Sequence, residues 1–283
     1  MPPARLRSPT VTKDLSRRTQ LLLRFGYDGA RFRGLQPQGP GVATAGQALR
    51  DRLVAAAADR PRGLAFSART DAGVHALRNA ATCYFLDEPD GAAVAARVAA
   101  ARDDGLCHVE ALPVPPNIHA RGHSRGKRYR YLVDDGCADA TRPRPRSWPV
   151  APELSAELLW DAARRLEGTH DFASLRGGGC TAGSTTKALA RIRIGGPFAL
   201  TDGRRWLIEI TGDAFLRKMV RNAVGLMVEV GSGWRAPDDV ERVLAARDRC
   251  AAGLCAPPDG LSLIDVGFAW PLDGSALRAE LGG

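Results

Sequence analysis

The segment with the clearest potential for chemistry is residues 68–75, which read Ala-Arg-Thr-Asp-Ala-Gly-Val-His. Its single carboxylate, Asp71, follows Arg69 by two positions, in a short polar break between two apolar runs with strand character. A nearby guanidinium can hold a carboxylate ionised by charge pairing, and an ionised carboxylate is a candidate nucleophile or base. Asp and Gly also dominate ordinary turns. The loop alone therefore favours a turn, and the rest of the chain decides between the two interpretations.

A second segment, residues 126–131, alternates basic and aromatic side chains. On a strand, period-two geometry places Tyr129 and Tyr131 on one face and Arg128 and Arg130 on the other. Basic residues interleaved with aromatic ones form stacking and phosphate-binding platforms in many RNA-binding sheets. The alternative is a sheet whose tyrosines pack inward, which we expect of one of the two tyrosines.

Residues 214–230 predict a long helix that mixes apolar residues with three cations. Cations in the first half of a helix do not complement the positive end of its dipole. Arg217 and Lys218 are best interpreted as solvent-facing. Arg221 stands in the most apolar part of the segment, and we expect it to be drawn into a cleft.

Two further motifs are weak. His119 and His123 have metal-binding spacing, but Gly122 disfavours a helix there and the acidic residue of the zinc-protease motif is missing. Residues 177–184 are rich in glycine, as phosphate-binding loops are, yet no lysine follows Gly183. We interpret them as a flexible surface loop.

Composition limits the possible classes of protein. The 283 residues suffice for two ordinary domains, and a hydrophobic fraction of 45% supports a packed core. The net charge of +9 predicts a polyanionic partner. We expect no membrane span, because no apolar run is long enough, and no secretory signal, because the basic start lacks an apolar stretch. Six scattered cysteines predict reduced thiols in a cytoplasmic protein.

The order of the predicted strands and helices, which must position these residues, indicates an α+β fold of two similar halves. Each half has helices layered on a mainly antiparallel sheet, and the two sheets are expected to meet at a central cleft. The predicted divisions are a basic flexible tail over residues 1–18, an N-terminal domain over 19–150 that carries the Asp71 loop, and a C-terminal domain over 151–283. The predicted strands cover 20–27, the regions around 65 and 82, 109–114, 127–133, 189–194, 205–211 and 261–266. The predicted helices cover 45–54, 92–101, 155–166 and 214–230, with a further helix opened by Pro237.

Six blocks of the chain share their order and residue types with one known family. They are residues 27–36, 69–76, 118–131, 168–172, 215–225 and 260–263. Together they resemble the tRNA pseudouridine synthases of the TruA family, over about residues 21–268. The chain departs from the family pattern at Leu35, where the family has Trp, and at Ala68, where it has Gly.

The resemblance implies a pseudouridine synthase fold and an isomerase that converts uridine to pseudouridine at positions 38 to 40 of the tRNA anticodon arm. It further implies a homodimer that uses no cofactor and no metal. By position, Asp71 would be the catalytic nucleophile, Arg221 its ion-pair partner, and Tyr129 the residue that stacks on the target base. Arg69 would help to open the RNA and hold the flipped nucleotide, and Leu261 would belong to the substrate-binding residues.

The chemistry of this reaction explains the residue types. Moving uracil from an N1 to a C5 link with ribose breaks a glycosidic bond, so a carboxylate must act at C1′ or add to the base. The sequence leaves open which of these occurs and which of the three uridines are modified. The nucleotide must first leave its stack, at a cost of a few kcal/mol, and phosphate contacts can offset that cost.

Two other functions compete with this one. The first is a non-catalytic RNA-binding module on the same fold, against which the intact Asp71, Tyr129 and Arg221 argue. The second is a nucleoside hydrolase that uses the same carboxylate, which would not explain the positive charge or the basic-aromatic strand.

Overall fold

The computed structural model describes residues 18–88, 90–102 and 104–268, so the predicted basic tail lies outside the described residues except for Arg18. The strands are β1 (Thr19–Tyr27), β2 (Arg62–Phe66), β3 (His75–Phe85), β4 (Leu106–Val114), β5 (Ser124–Asp135), β6 (Trp148–Pro149), β7 (Gly168–Asp171), β8 (Thr186–Ala199), β9 (Arg204–Gly212) and β10 (Leu261–Phe268). The helices are α1 (Ala45–Ala56), α2 (Gly91–Ala100), α3 (Ala156–Leu166), α4 (Met219–Gly231) and α5 (Asp239–Ala246).

These strands form one continuous ten-stranded sheet with the main order β4-β1-β3-β10-β5-β9-β8-β7. Pairing is antiparallel except between β10 and β3 and between β5 and β6. The predicted α+β class with mainly antiparallel pairing is therefore confirmed. The two halves meet edge to edge, because β10 comes from the end of the chain and lies between β3 and β5. The division into domains at residue 150 stays a prediction.

Local chemistry accounts for where several helices begin. The Thr44 side chain caps α1 by accepting a hydrogen bond from the backbone N–H of Gln47 at 3.2 Å, as the sequence predicts. Ser155 caps α3 in the same way through the N–H of Leu158. Apolar side chains from the sheet and these helices join in one buried core, and each large one contributes about 1.5–3 kcal/mol.

One predicted boundary is wrong: the helix expected over 214–230 begins only at Met219. Lys218 adopts the left-handed conformation, with φ of +60°, and the backbone carbonyl of Arg217 accepts a hydrogen bond from Gly177 at 2.7 Å. A carbonyl bonded to a neighbouring loop cannot take part in a first helical turn. Arg217 and Lys218 therefore lie on a connecting loop, which directs them differently from cations on a helix.

The end of α4 also differs in detail from the prediction. Gly231, expected just past the helix, is its last helical residue. It packs so closely that an added Cβ would lie 2.8 Å from Leu159 Cδ2. Gly233, at φ of +77°, takes the left-handed position after the helix.

Candidate active site

The Asp71 loop connects β2 to β3. A hydrogen bond from the N–H of Val74 to the carbonyl of Asp71, at 3.2 Å, closes the turn. Gly73 has φ of +83°, and an added Cβ would lie 2.9 Å from Pro258 Cγ. The loop therefore packs against the segment that leads into β10. The Asp71 side chain keeps 27% of its surface exposed, which leaves room for a reacting partner.

Buried hydrogen bonds from neighbouring segments hold the Asp71 loop in place. The Tyr27 hydroxyl and Thr70 Oγ1 lie 2.7 Å apart, and the Asn79 side chain donates to the carbonyl of Ala68 at 3.0 Å. The N–H of Leu35 donates to the carbonyl of Thr70. Burial raises the pKa of Tyr27 to about 12, so its hydroxyl stays protonated. Leu35 and Ala68, the two departures from the family pattern, are buried and support the loop through backbone atoms.

His75, directly after the loop, fastens it to the turn that follows β1. Its Nδ1 accepts a hydrogen bond from the N–H of Gly29 at 3.1 Å and lies 3.0 Å from Asp28 Oδ1. Burial lowers the pKa of His75 although the charge of Asp28 opposes this shift. Asp28 also pairs with Arg146 at 3.2 Å. The contact between His75 and Gly29 was not predicted from the sequence, where its only signal was the position of His75 beside the loop.

Arg221 reaches Asp71 from the first turn of α4. Its Nη1 lies 3.4 Å from Asp71 Oδ2, between residues 150 positions apart. Its Nε donates to the carbonyl of Ala256 at 2.7 Å, and only 12% of the side chain is exposed. The predicted contact between Arg221 and the carboxylate is therefore present, and a backbone carbonyl orients the guanidinium toward it.

Arg217 contributes a second guanidinium that the sequence analysis missed. Its Nε lies 3.6 Å from Asp71 Oδ1, with half of the side chain exposed. Its Nη1 donates to the carbonyl of Gly178 at 2.8 Å. The side chain can turn toward Asp71 because α4 begins at Met219, five residues later than predicted and two residues after Arg217. Lys218 is exposed, as predicted.

The two tyrosines of β5 are both buried, with different partners. The Tyr131 hydroxyl donates to the carbonyl of Pro257 at 2.7 Å, which fits the inward packing expected of one tyrosine. The Tyr129 ring meets that of Phe215 edge to face, with centroids 5.0 Å apart. Burial raises the pKa of Tyr129, and the charge of Asp71 adds to the shift. Tyr129 is thus the tyrosine that lies within electrostatic reach of the carboxylate.

The two remaining predicted site residues, Leu261 and Arg69, lie on β10 and on the Asp71 loop. Leu261 is the buried first residue of β10, paired across the sheet with Tyr131. The next residue of β10, Ser262, pairs with His75 of β3. Leu261 is therefore at the junction of the two halves. Arg69 is an exposed residue of the Asp71 loop.

Among the described residues, no group of three or more His, Cys, Asp or Glu side chains could hold a metal ion. His119 and His123 instead hydrogen-bond within their own turn, where His123 Nδ1 accepts from the N–H of His119 at 3.0 Å. The described helices include none with the length and apolar character needed to cross a membrane.

The centre therefore combines a partly exposed carboxylate, two guanidiniums and a buried aromatic ring. Guanidiniums approach both carboxylate oxygens and restrict the orientation of the carboxylate. The buried Tyr129 ring, packed edge to face on Phe215, adds an aromatic side chain to this centre. This arrangement suits nucleophilic attack on a substrate with an aromatic base.

Comparisons with known proteins agree with this chemistry. A family model described as tRNA pseudouridine synthase matches residues 162–269. Proteins named tRNA pseudouridine synthase A are similar to most of the chain. The one from Geotalea uraniireducens is 32% identical, covering 87% of this chain and 98% of its own. That from Syntrophotalea carbinolica is 34% identical, covering 86% and 94%, and that from Pseudomonas aeruginosa is 35% identical, covering 88% and 86%. A chain of the archaeal box H/ACA sRNP Nop10-Cbf5 complex aligns with a TM-score of 0.31 and 13% identity, over 71% of this chain and 45% of that one.

Proposed function

Since this chain belongs to the TruA family of tRNA pseudouridine synthases, isomerases that convert uridine to pseudouridine in tRNA, we propose that its targets are the uridines at positions 38 to 40 of the anticodon arm. The observation that carries the assignment of the site is the contact between Asp71 and Arg221 beside Tyr129. These three residues come from separate parts of the chain and converge on one carboxylate.

In the proposed mechanism Asp71 is the nucleophile. The reaction breaks the bond between C1′ and N1 and forms a bond between C1′ and C5. C5 loses a proton and N1 gains one, so that the product is an isomer of uridine. A carboxylate can serve this sequence by attacking C1′ or by adding to the base. Arg221 orients Asp71, since its Nε is already fixed by the carbonyl of Ala256.

The other predicted residues handle the nucleotide. Tyr129 stacks on the detached uracil, so that the base can rotate without escaping. Arg69, exposed at the edge of the loop, contacts the opened RNA and holds the flipped nucleotide. Leu261 closes the apolar side of the pocket at the start of β10. The net charge of +9 supports phosphate contacts that offset the cost of flipping.

We also propose that the enzyme acts as a cytoplasmic homodimer, with residues 19–150 and 151–283 as its two domains. The supports are the family resemblance, the absence of a membrane-crossing helix among the described residues and the free state of all six cysteines. Sedimentation of the purified chain tests the dimer.

The site of modification is tested with the purified chain and tRNA transcripts that carry one anticodon-arm uridine each, at position 38, 39 or 40. Pseudouridine is located by carbodiimide labelling and primer extension. We expect modification at these positions and none at uridines of the other arms, which serve as internal controls. Modification confined to another arm would refute the proposed specificity. Binding without any modification would instead favour a non-catalytic RNA-binding module.

A further inference from the structure

A cavity of about 460 Å³ is lined by residues that include Gly178, whose carbonyl accepts a hydrogen bond from Arg217. Its walls include Arg176, Arg247 and Arg249, together with the glycine segment 177–179 and one acidic residue, Asp248. The Asp248 side chain accepts a hydrogen bond from the backbone N–H of Cys250 at 3.0 Å, so three guanidiniums face one carboxylate. We call this feature the arginine cleft. It contains the glycine segment that the sequence analysis interpreted as an ordinary surface loop.

A hydrogen bond and an ion pair, both made by Arg217, connect the arginine cleft to the Asp71 carboxylate. The Arg217 guanidinium donates to the carbonyl of Gly178 at 2.8 Å and lies 3.6 Å from Asp71. Arg249 donates to the buried side chain of Asn222, the residue next to Arg221. One side chain thus separates the cleft from Asp71.

The charge of the cleft suits an anion. Arg249 donates to the neutral oxygens of Asn222 and Gly253, each at 3.2 Å, so these partners leave its positive charge uncompensated. Arg247 pairs with Asp171 at 3.1 Å, but 70% of its side chain is exposed. It can therefore exchange this contact for a phosphate at little cost. Guanidiniums bind phosphate with two parallel hydrogen bonds.

The glycine segment gives a phosphate room to approach. A Cβ added at Gly178 would meet nothing within 4 Å, so the space above its backbone is open. Gly179 has φ of +70°, where a side chain would be strained, and an added Cβ would lie 3.0 Å from the Arg217 guanidinium. Glycine at these positions keeps the passage between the cleft and Asp71 free.

We propose that the arginine cleft binds phosphates of the RNA strand next to the target uridine, with Arg217 as the residue that bridges this strand and the catalytic centre. The inference rests on the proposed function, because it takes tRNA as the substrate. A continuous strand fits better than a free anion, since the cleft opens beside the place where the flipped nucleotide must lie.

The first test compares two double variants in tRNA binding over a range of salt concentrations. Arg176→Ala with Arg247→Ala removes two cleft cations. The matched control, Arg164→Ala with Arg242→Ala, removes two cations that are 65% and 73% exposed and pair with aspartates of their own helices. Losing two phosphate contacts lowers the salt slope by about 1.4 and weakens binding roughly 25-fold at 0.1 M salt. The control should change binding by less than about threefold. Equal effects in the two variants would overturn the proposal.

The second test leaves the chain unchanged and uses Cys180, which lines the cleft. We expect saturating tRNA to slow alkylation of Cys180, followed by mass spectrometry of its peptide, at least fivefold. Millimolar inorganic phosphate should not protect it. Protection by inorganic phosphate but not by tRNA would show a free-anion site and overturn the proposal. If the proposed function itself is wrong, the unmodified chain forms no pseudouridine in the anticodon arm. If only this inference is wrong, the unmodified chain still forms pseudouridine in the anticodon arm. The variant with Arg176→Ala and Arg247→Ala then binds tRNA like the control variant.

Discussion

Replacement of Arg221 by lysine tests whether the planar guanidinium matters beyond its charge. In the structure Arg221 makes two directed contacts at once, with the carbonyl of Ala256 at 2.7 Å and with Asp71 at 3.4 Å. The lysine ammonium is a compact charge on a flexible stem and cannot reproduce this fork. Arg221→Lys therefore keeps a positive charge in the region but loses the orientation of Asp71.

The size of the effect follows from these contacts. A hydrogen bond to a charged group contributes about 1.5–3 kcal/mol, which corresponds to a rate reduction of roughly 10- to 150-fold. Arg217→Lys is the matched variant, because Arg217 approaches the other oxygen of Asp71 at 3.6 Å with a half-exposed side chain. An exposed pair contributes about 0–1 kcal/mol, so its loss should slow the reaction by at most about fivefold.

The assay is the single-turnover rate of pseudouridine formation at saturating tRNA, which separates the chemical step from binding. Thermal unfolding of each variant serves as the control for folding. We expect a large fall for Arg221→Lys and a small one for Arg217→Lys, with unfolding temperatures close to that of the parent chain. An Arg221→Lys rate within twofold of the parent would refute the orienting role. Equal losses in the two variants would show that charge alone matters.

Three further predictions concern the surface, the core and the loop. If six or more phosphates are contacted, the logarithm of the tRNA association constant should fall with the logarithm of the salt concentration, with a slope magnitude of about 4 or more. An affinity that does not change with salt would contradict the electrostatic account. Hydrogen bonds from Arg205 lower the pKa of Asp134 against the effect of its burial, so Asp134→Asn should cost about 3 kcal/mol of unfolding free energy at pH 7. A lowered pKa stabilises the fold only at pH values above the pKa that the group has in the unfolded chain. The difference in unfolding free energy between Asp134→Asn and the parent should therefore shrink in urea titrations below about pH 4. A difference that stays constant with pH would exclude this linkage. Gly73→Ala, at φ of +83° and against Pro258, should lower kcat at least tenfold and cost about 1–2 kcal/mol of stability; unchanged kinetics would show that the loop tolerates the strain.

Local patterns were sufficient to predict most elements of this fold. Alternating residues marked β1 and β5, and Thr44 marked the start of α1. The order of the strands in the sheet could not be predicted from local patterns. Pairing of β10 with both β3 and β5 depends on contacts between distant segments, which no local periodicity encodes.

In the candidate site, too, some features could be predicted from the sequence and others could not. The inward position of Arg221 could be predicted from its apolar helix segment, whereas its pairing with Asp71 followed only from the family resemblance. The contact of Arg217 could not be predicted, because it depends on the left-handed conformation of Lys218. The bond between His75 and Gly29 likewise depends on how two loops meet.

The identity of the nucleophile is the central claim, and Asp71→Asn tests it most directly. Asparagine has nearly the same shape but no charge, so it cannot attack a carbon centre. The measurement is single-turnover formation of pseudouridine in tRNA, with tRNA affinity measured on the same preparation. We predict no detectable product and an affinity close to that of the parent chain. Turnover at even a tenth of the parent rate would contradict the assignment of Asp71 as the nucleophile.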